Sequence, residues 1–271
     1  MNKIISGNLR TNSAQRGRLM KITALVSLLL LFSFAAAAAG AEYDGTKYVT
    51  RCKDRAGAAV PDKGVKQPGY SPEEIKTIEQ KLVELFYNPG EVDGRIDPQF
   101  ECAVMGFQKM NGLERTGEIN MQVLEALENP VYPSPAQKHQ GIHTEADLER
   151  QVLTVYRDNE IVRIMPASSG ADKPFKEPGG GYGSARTPLG DFKFFARIWG
   201  LHADHLGDLF NPVYFDEGGY AVHGDTQVPS YNASHGCIRI SIEDSVWFEK
   251  TVPLQTPLLV SATALPTTRR E

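Results

Sequence analysis

Ser234-His235-Gly236-Cys237 sets a thiol two residues from an imidazole, with a glycine between them. Cysteine attacks as the thiolate, so a nucleophile here needs a base or a positive neighbour. Two histidines lie close by in sequence. His235 shares a face with Cys237 if the segment is extended. His223 follows Tyr220-Ala221-Val222, at the end of an expected strand, which is a rigid mount for a base. Gly236 lets the backbone bend beside the thiol, so that successive N–H groups can face the oxyanion of an acyl transfer. Arg239 is placed either to hold a substrate carboxylate or to form a surface ion pair. Metal binding is the rival chemistry. His202-Ala203-Asp204-His205-Leu206-Gly207-Asp208 has ligand-like spacing, and His223, His235 and Cys237 could add to it. No helix pattern brings His202 and His205 onto one face, however. Acyl transfer needs no metal and no organic cofactor.

These residues must be positioned by folded elements, and the chain suggests two kinds. Ser71-Pro72-Glu73-Glu74 starts a helix with a capping box and Pro at its first position, followed by Ile75, Ile78, Leu82, Leu85 and Phe86 at helical spacing. Asn88-Pro89-Gly90 stops it. Asp97-Pro98 starts a second helix with Phe100, Val104 and Phe107 on its apolar stripe, and Asn120 caps a short third with Val123, Leu124 and Leu127. From Leu148 the period changes to that of strands: Gln151–Tyr156, Ile161–Met165, Asp191–Ala196, Val213–Phe215, Tyr220–Val222 and Pro257–Val260. Asp158-Asn159 reads as a hairpin turn, and only Glu243–Lys250 reads as helix. The expectation is a multidomain chain: an all-α three-helix bundle over 71–130, then a mainly-β, sandwich-like domain over 147–263. Residues 42–70 read as an irregular lead-in, 131–146 as an exposed Pro- and Gly-containing linker and 264–271 as a tail. Gly179–Gly183 lacks the Gly-Lys-Ser/Thr of a phosphate loop. It reads as a mobile loop near a cleft or a plain surface loop.

Residues 1–41 carry Lys3, Arg10, Arg16, Arg18 and Lys21, then the apolar run Ile22–Phe34 and a small-residue stretch ending Ala39-Gly40-Ala41. That order describes a secretory signal peptide, with a membrane anchor as the alternative. The run of alanines favours cleavage, and a membrane partner is expected only if the segment is kept. Translation starting at Met20 would shorten the basic region. Without these residues the net charge moves from −4 to −9, a poor basis for binding nucleic acid. An exported chain is expected to pair two of its three cysteines. Cys52 and Cys102 are the natural pair, two separately buried thiols are the alternative, and pairing leaves Cys237 free.

Two resemblances sharpen this picture. Val92-Asp93-Gly94, Ala103-Val104, Phe107-Gln108, Gly112-Leu113, Thr116-Gly117 and Leu124–Leu127 resemble, in order, the three-helix peptidoglycan-binding domain of cell-wall enzymes. The similarity covers about residues 72–128. His223-Gly224, Val228-Pro229 and Ala233-Ser234-His235-Gly236-Cys237-Ile238-Arg239 are similar to the catalytic motif of the YkuD-type L,D-transpeptidase family. Thr187-Pro188-Leu189-Gly190-Asp191-Phe192 and Arg150–Tyr156 match its other recurrent segments. Only ten residues separate His223 from Ser234, somewhat fewer than in many members.

The resemblance implies Cys237 as nucleophile, His223 as proton donor and acceptor oriented by the Gly224 carbonyl, and backbone around His235 and Gly236 as oxyanion site. Arg239, Ser234 and Tyr220 are the expected substrate contacts. It further implies peptidoglycan stem peptides as donor and acceptor, peptidoglycan as partner of the helical part, and inactivation by carbapenem-type β-lactams. A secreted, periplasmic or wall-associated location follows. Water as acceptor would make the chain an L,D-carboxypeptidase. A silent wall-binding protein would carry Cys237 as a structural thiol, and a zinc hydrolase would depend on bound metal.

Overall fold

The computed structural model describes residues 48–53 and 69–269; the expected export segment 1–41 lies outside the described residues. Among the described residues, no helix is long and apolar enough to cross a membrane.

The three helices form where their caps predict. Helix α1 (Pro72–Glu84) is started by Ser71, whose hydroxyl accepts the Glu74 N–H while the Glu74 carboxylate accepts the Ser71 N–H. Asp97 caps α2 (Pro98–Asn111), which ends on Gly112 in the left-handed conformation, and Asn120 caps α3 (Met121–Glu128).

The rest is mainly β. In chain order the strands are β1 (Val131–Pro133), β2 (Ile142–Asp147), β3 (Val152–Arg157), β4 (Glu160–Pro166), β5 (Pro174–Lys176), β6 (Tyr182–Ser184) and β7 (Gly190–Lys193). Then come β8 (Ala196–Arg197), β9 (Leu201–Asp204), β10 (Gly207–Asp216), β11 (Tyr220–Gly224) and β12 (Ile238–Ile240). Helix α4 (Ile242–Thr251) precedes β13 (Pro257–Ser261) and β14 (Thr267–Arg269). Asp158 and Asn159 both have positive φ, as the tight turn between β3 and β4 requires.

One sheet has the order β4-β3-β2-β13-β7; the other runs β12-β11-β10-β8, with β9 also on β10. Ala146, Leu153, Val155 and Met165 of the first sheet meet Val213, Phe215, Val222 and Ile238 of the second in one core, closed by Phe248 and Val252. The other face of the first sheet packs on the helices, with Val152, Tyr156, Ile161 and Ile164 joining Leu82, Phe100 and Phe107. The helical and β parts therefore share a core instead of being joined by a bare linker.

Two expectations change on that account. Residues 131–146 contain β1 and all but the last residue of β2, which sits in mid-sheet between β3 and β13. The tail contributes β14, paired with β1. Gly179, Gly180 and Gly181 lie in the turn that closes the β5–β6 hairpin, and Gly183 lies in β6. Cys52 and Cys102 form a disulfide, and Cys237 is free.

Candidate active site

Strands β11 and β12 run parallel with Val222 opposite Ile238 and His223 opposite Arg239. That register sets Cys237 level with Ala221, one step before the strand begins. Val222 and Ile238 are fully buried. Each contributes about 1.5–3 kcal/mol through burial, so both mounts are fixed by the core.

His223 is buried, and its Nδ1 lies 2.8 Å from the Gly224 carbonyl oxygen. A carbonyl can only accept, so Nδ1 carries the proton and Nε2 keeps its lone pair. Burial pulls the His223 pKa down to about 4, opposed by the Gly224 bond and the nearby Asp225 carboxylate and aided by Arg239. The imidazole is therefore a neutral base at neutral pH. Close approach of α4 holds its neighbour: a Cβ on Gly224 would fall 2.5 Å from Ser245 Oγ and 2.9 Å from Ile242 Cα.

Cys237 is partly exposed. Its thiol points to the Gly219 carbonyl at 3.9 Å. Burial of the sulfur pushes its pKa up to about 11, against the Ala221 N–H and Arg239, which favour the thiolate. Burial thus favours the uncharged form of both groups. Alkylation of Cys237 by iodoacetamide is expected to be slow at pH 7 and to rise about tenfold per pH unit toward pH 10. A rate already on its plateau at pH 7 would show a thiolate–imidazolium resting state.

The Ser-His-Gly-Cys turn is held from within. Ser234 is buried; its hydroxyl accepts the Gly236 N–H at 3.0 Å and donates to the Cys237 carbonyl at 2.6 Å. Ser234, an expected substrate contact, lines the cleft while its hydroxyl proton is given to the loop. The Gly236 N–H is likewise engaged, so the resting loop does not offer it to an oxyanion. Gly236 sits at φ 140°, and a Cβ there would come within 2.3 Å of the Tyr220 ring; only glycine fits. Arg239 pairs with Asp225 at 3.0 Å, the ion-pair alternative. His235 packs edge-on to Phe175 of β5, ring centroids 4.6 Å apart.

Cys237, His223, His235, Ser234, Tyr220 and Arg239 line one cleft of about 350 Å³. The β9–β10 hairpin also lines it, with Asp204, His205 and Asp208, and the β5–β6 hairpin adds Phe175 and Glu177. Of the residues with ligand-like spacing, Asp204, His205 and Asp208 line the thiol's cleft and His202 does not; among the described residues, no three His, Cys, Asp or Glu side chains gather as a metal site. Phe175, Glu177 and Asp225 carry no sequence signal of their own; only the hairpins' folding brings them here. A cavity of about 450 Å³ at the edge of the first sheet, lined by His139, His143 and Glu145, holds no thiol.

Residues 141–260 match the family model of the L,D-transpeptidase catalytic domain, and residues 71–127 match one described as "Putative peptidoglycan binding domain". Among solved structures, an L,D-transpeptidase (residues 123-326) from Xylanimonas cellulosilytica is 34% identical with a TM-score of 0.67. The match covers 77% of this chain and 100% of that one. Among curated proteins, "Putative L,D-transpeptidase YciB" of Bacillus subtilis is 26% identical over 145 residues, 48% of this chain and 70% of that protein.

Proposed function

This chain belongs to the L,D-transpeptidase family, and from that premise we propose that it is an exported enzyme forming 3→3 cross-links in peptidoglycan. The observation that carries this is a single cleft holding a free thiol and a buried histidine whose Nδ1 is held on the Gly224 carbonyl. Cys237 attacks the carbonyl before the terminal D-Ala of a tetrapeptide stem while His223 Nε2 takes the thiol proton. The oxyanion is met by backbone N–H groups of the turn, with those of His235 and Cys237 as the donors, since Ser234 holds that of Gly236. Collapse breaks the amide bond, and His223 returns its proton to the departing D-Ala amine. The thioester is then attacked by a side-chain amine of a neighbouring stem. His223 takes one proton from that amine and gives it back to the Cys237 sulfur as the new amide forms. Every proton is accounted for within the pair, and no metal or organic cofactor enters.

The helical part holds the enzyme on its polymer, and carbapenem-type β-lactams, which carry a strained acyl group, acylate the same sulfur. Arg239 acts on the site through its ion pair with Asp225, and Tyr220 shapes the cleft wall by packing on Gly236.

Incubation with a disaccharide tetrapeptide, followed by mass analysis, tests the reaction. Free D-Ala with a cross-linked dimer is the expected result. Tripeptide and D-Ala without dimer would identify an L,D-carboxypeptidase, and no turnover with retained peptidoglycan binding would leave a wall-binding protein.

A further inference from the structure

The loop between His223 and Ser234 has no regular structure, yet it is tied down from outside the sandwich along its length. Thr50, buried, donates its hydroxyl to the Asp225 carbonyl at 2.8 Å and accepts the N–H of Ile242, the first residue of α4, at 2.8 Å. The Arg51 N–H donates to the Thr226 carbonyl and the Val228 N–H to the Arg51 carbonyl, both at 2.9 Å. Cys52 is bonded to Cys102 of α2, and the disulfide packs with Met105 and Val228. From the helices, Lys109 donates to the Pro229 carbonyl at 2.9 Å and Arg115 to the Ser230 carbonyl at 3.0 Å.

Nearly all these bonds end on backbone groups of the loop, so they fix its path whatever its side chains are. They also meet the chemistry directly. Asp225 carries the ion pair to Arg239, which lies opposite His223 in the parallel register. Ile242 makes the close approach to Gly224, whose carbonyl holds the imidazole. Thr50 bridges these two elements with one hydroxyl. Residues 48–52 lie outside both stretches matched by the family models.

We propose that the strap Tyr48–Cys52, closed onto α2 by the Cys52–Cys102 disulfide, is a positioning device for catalysis, with Thr50 as the residue that sets the His223 side of the cleft against Cys237. The inference rests on Cys237 and His223 being nucleophile and base. Thr50→Val keeps the volume but leaves the Asp225 carbonyl and the Ile242 N–H unpaired in a buried place. The loop then relaxes, and a misplacement of about 1 Å can cost about a hundredfold in rate. Thr50→Ser keeps the hydroxyl.

The test compares wild type, Thr50→Val, Thr50→Ser, Cys52→Ala/Cys102→Ala and Cys237→Ala with disaccharide tetrapeptide, well below each protein's melting temperature. Thr50→Val is expected to lower kcat about ten- to a hundredfold with KM nearly unchanged. Thr50→Ser should restore most of the rate, and the double cysteine variant should lose kcat in the same direction. Wild-type kcat in Thr50→Val, or equal losses in the Val and Ser variants, would overturn the proposal even if melting temperatures shift. Should Thr50→Val not fold, the double cysteine variant decides, and an unchanged kcat there overturns it. Activity in Cys237→Ala would instead sink the underlying assignment of the nucleophile.

Discussion

Cys237→Ala protein is expected to fold normally and to release no D-Ala, with turnover falling at least about 10⁴-fold. The fold should survive because the sulfur holds little together. It sits at the partly exposed end of the turn, 3.9 Å from the Gly219 carbonyl and beside the Ala221 N–H. The turn itself is kept by Ser234, whose two hydrogen bonds do not involve the thiol. Activity should vanish because nothing else in the cleft can form the acyl intermediate. Asp204, Asp208, Glu177 and Asp225 are weak nucleophiles toward an amide, and the Ser234 hydroxyl is committed to the loop. Circular dichroism and a melting curve check the first half, and release of D-Ala the second. A variant that keeps a tenth of its turnover would mean that the thiol is structural.

His223→Asn should be the next most damaging change, lowering kcat about 10²- to 10⁴-fold, the usual range for loss of a general base. Its pH dependence separates this role from simple disruption. In the wild type the His223 pKa is held near 4, so the base is already neutral above about pH 5 and lost only as pH falls through 4. The thiol stays protonated until pH approaches about 11. The wild-type rate is therefore expected to be flat across neutral pH. Without the imidazole, attack waits on free thiolate. The residual rate of His223→Asn should then climb about tenfold per pH unit, so that the gap to wild type narrows as pH rises. A flat residual profile would assign the loss to a damaged cleft rather than to a missing base.

Features written into short, local patterns are legible in the sequence. Ser71, Asp97 and Asn120 announce their helices because a cap is a contact over three residues. The proposed nucleophile comes from Ser-His-Gly-Cys, and the proposed base, His223, from its place at the end of a strand. The parallel pairing of β11 with β12 is not legible, because their hydrogen bonds join residues separated by a loop.

Strand β2 shows a different failure. Ile142–Asp147 alternates polar residues as an exposed segment would, yet His143, Glu145 and Asp147 are all buried. Glu145 accepts the N–H groups of Ala136 and Gln137, and Asp147 pairs with Arg150. Polarity marks exposure only when no such partners exist. Ser234 is a further case: its hydroxyl donates to the Cys237 carbonyl and accepts the Gly236 N–H, a pairing that only the folded turn displays. Thr50 had no signal at all, since one threonine in a polar stretch becomes informative only when Asp225 and Ile242 are seen around it.

If Cys237 carries the acyl group between donor and acceptor, rapid mixing with a tetrapeptide donor, acid quenching and intact-mass measurement with peptide mapping will capture it. The expected adduct equals the donor minus D-Ala, sits on the peptide containing Cys237 and is released by hydroxylamine as a thioester would be. D-Ala release with an adduct on another residue, or with none at any mixing time while Cys237→Ala still turns over, would contradict it.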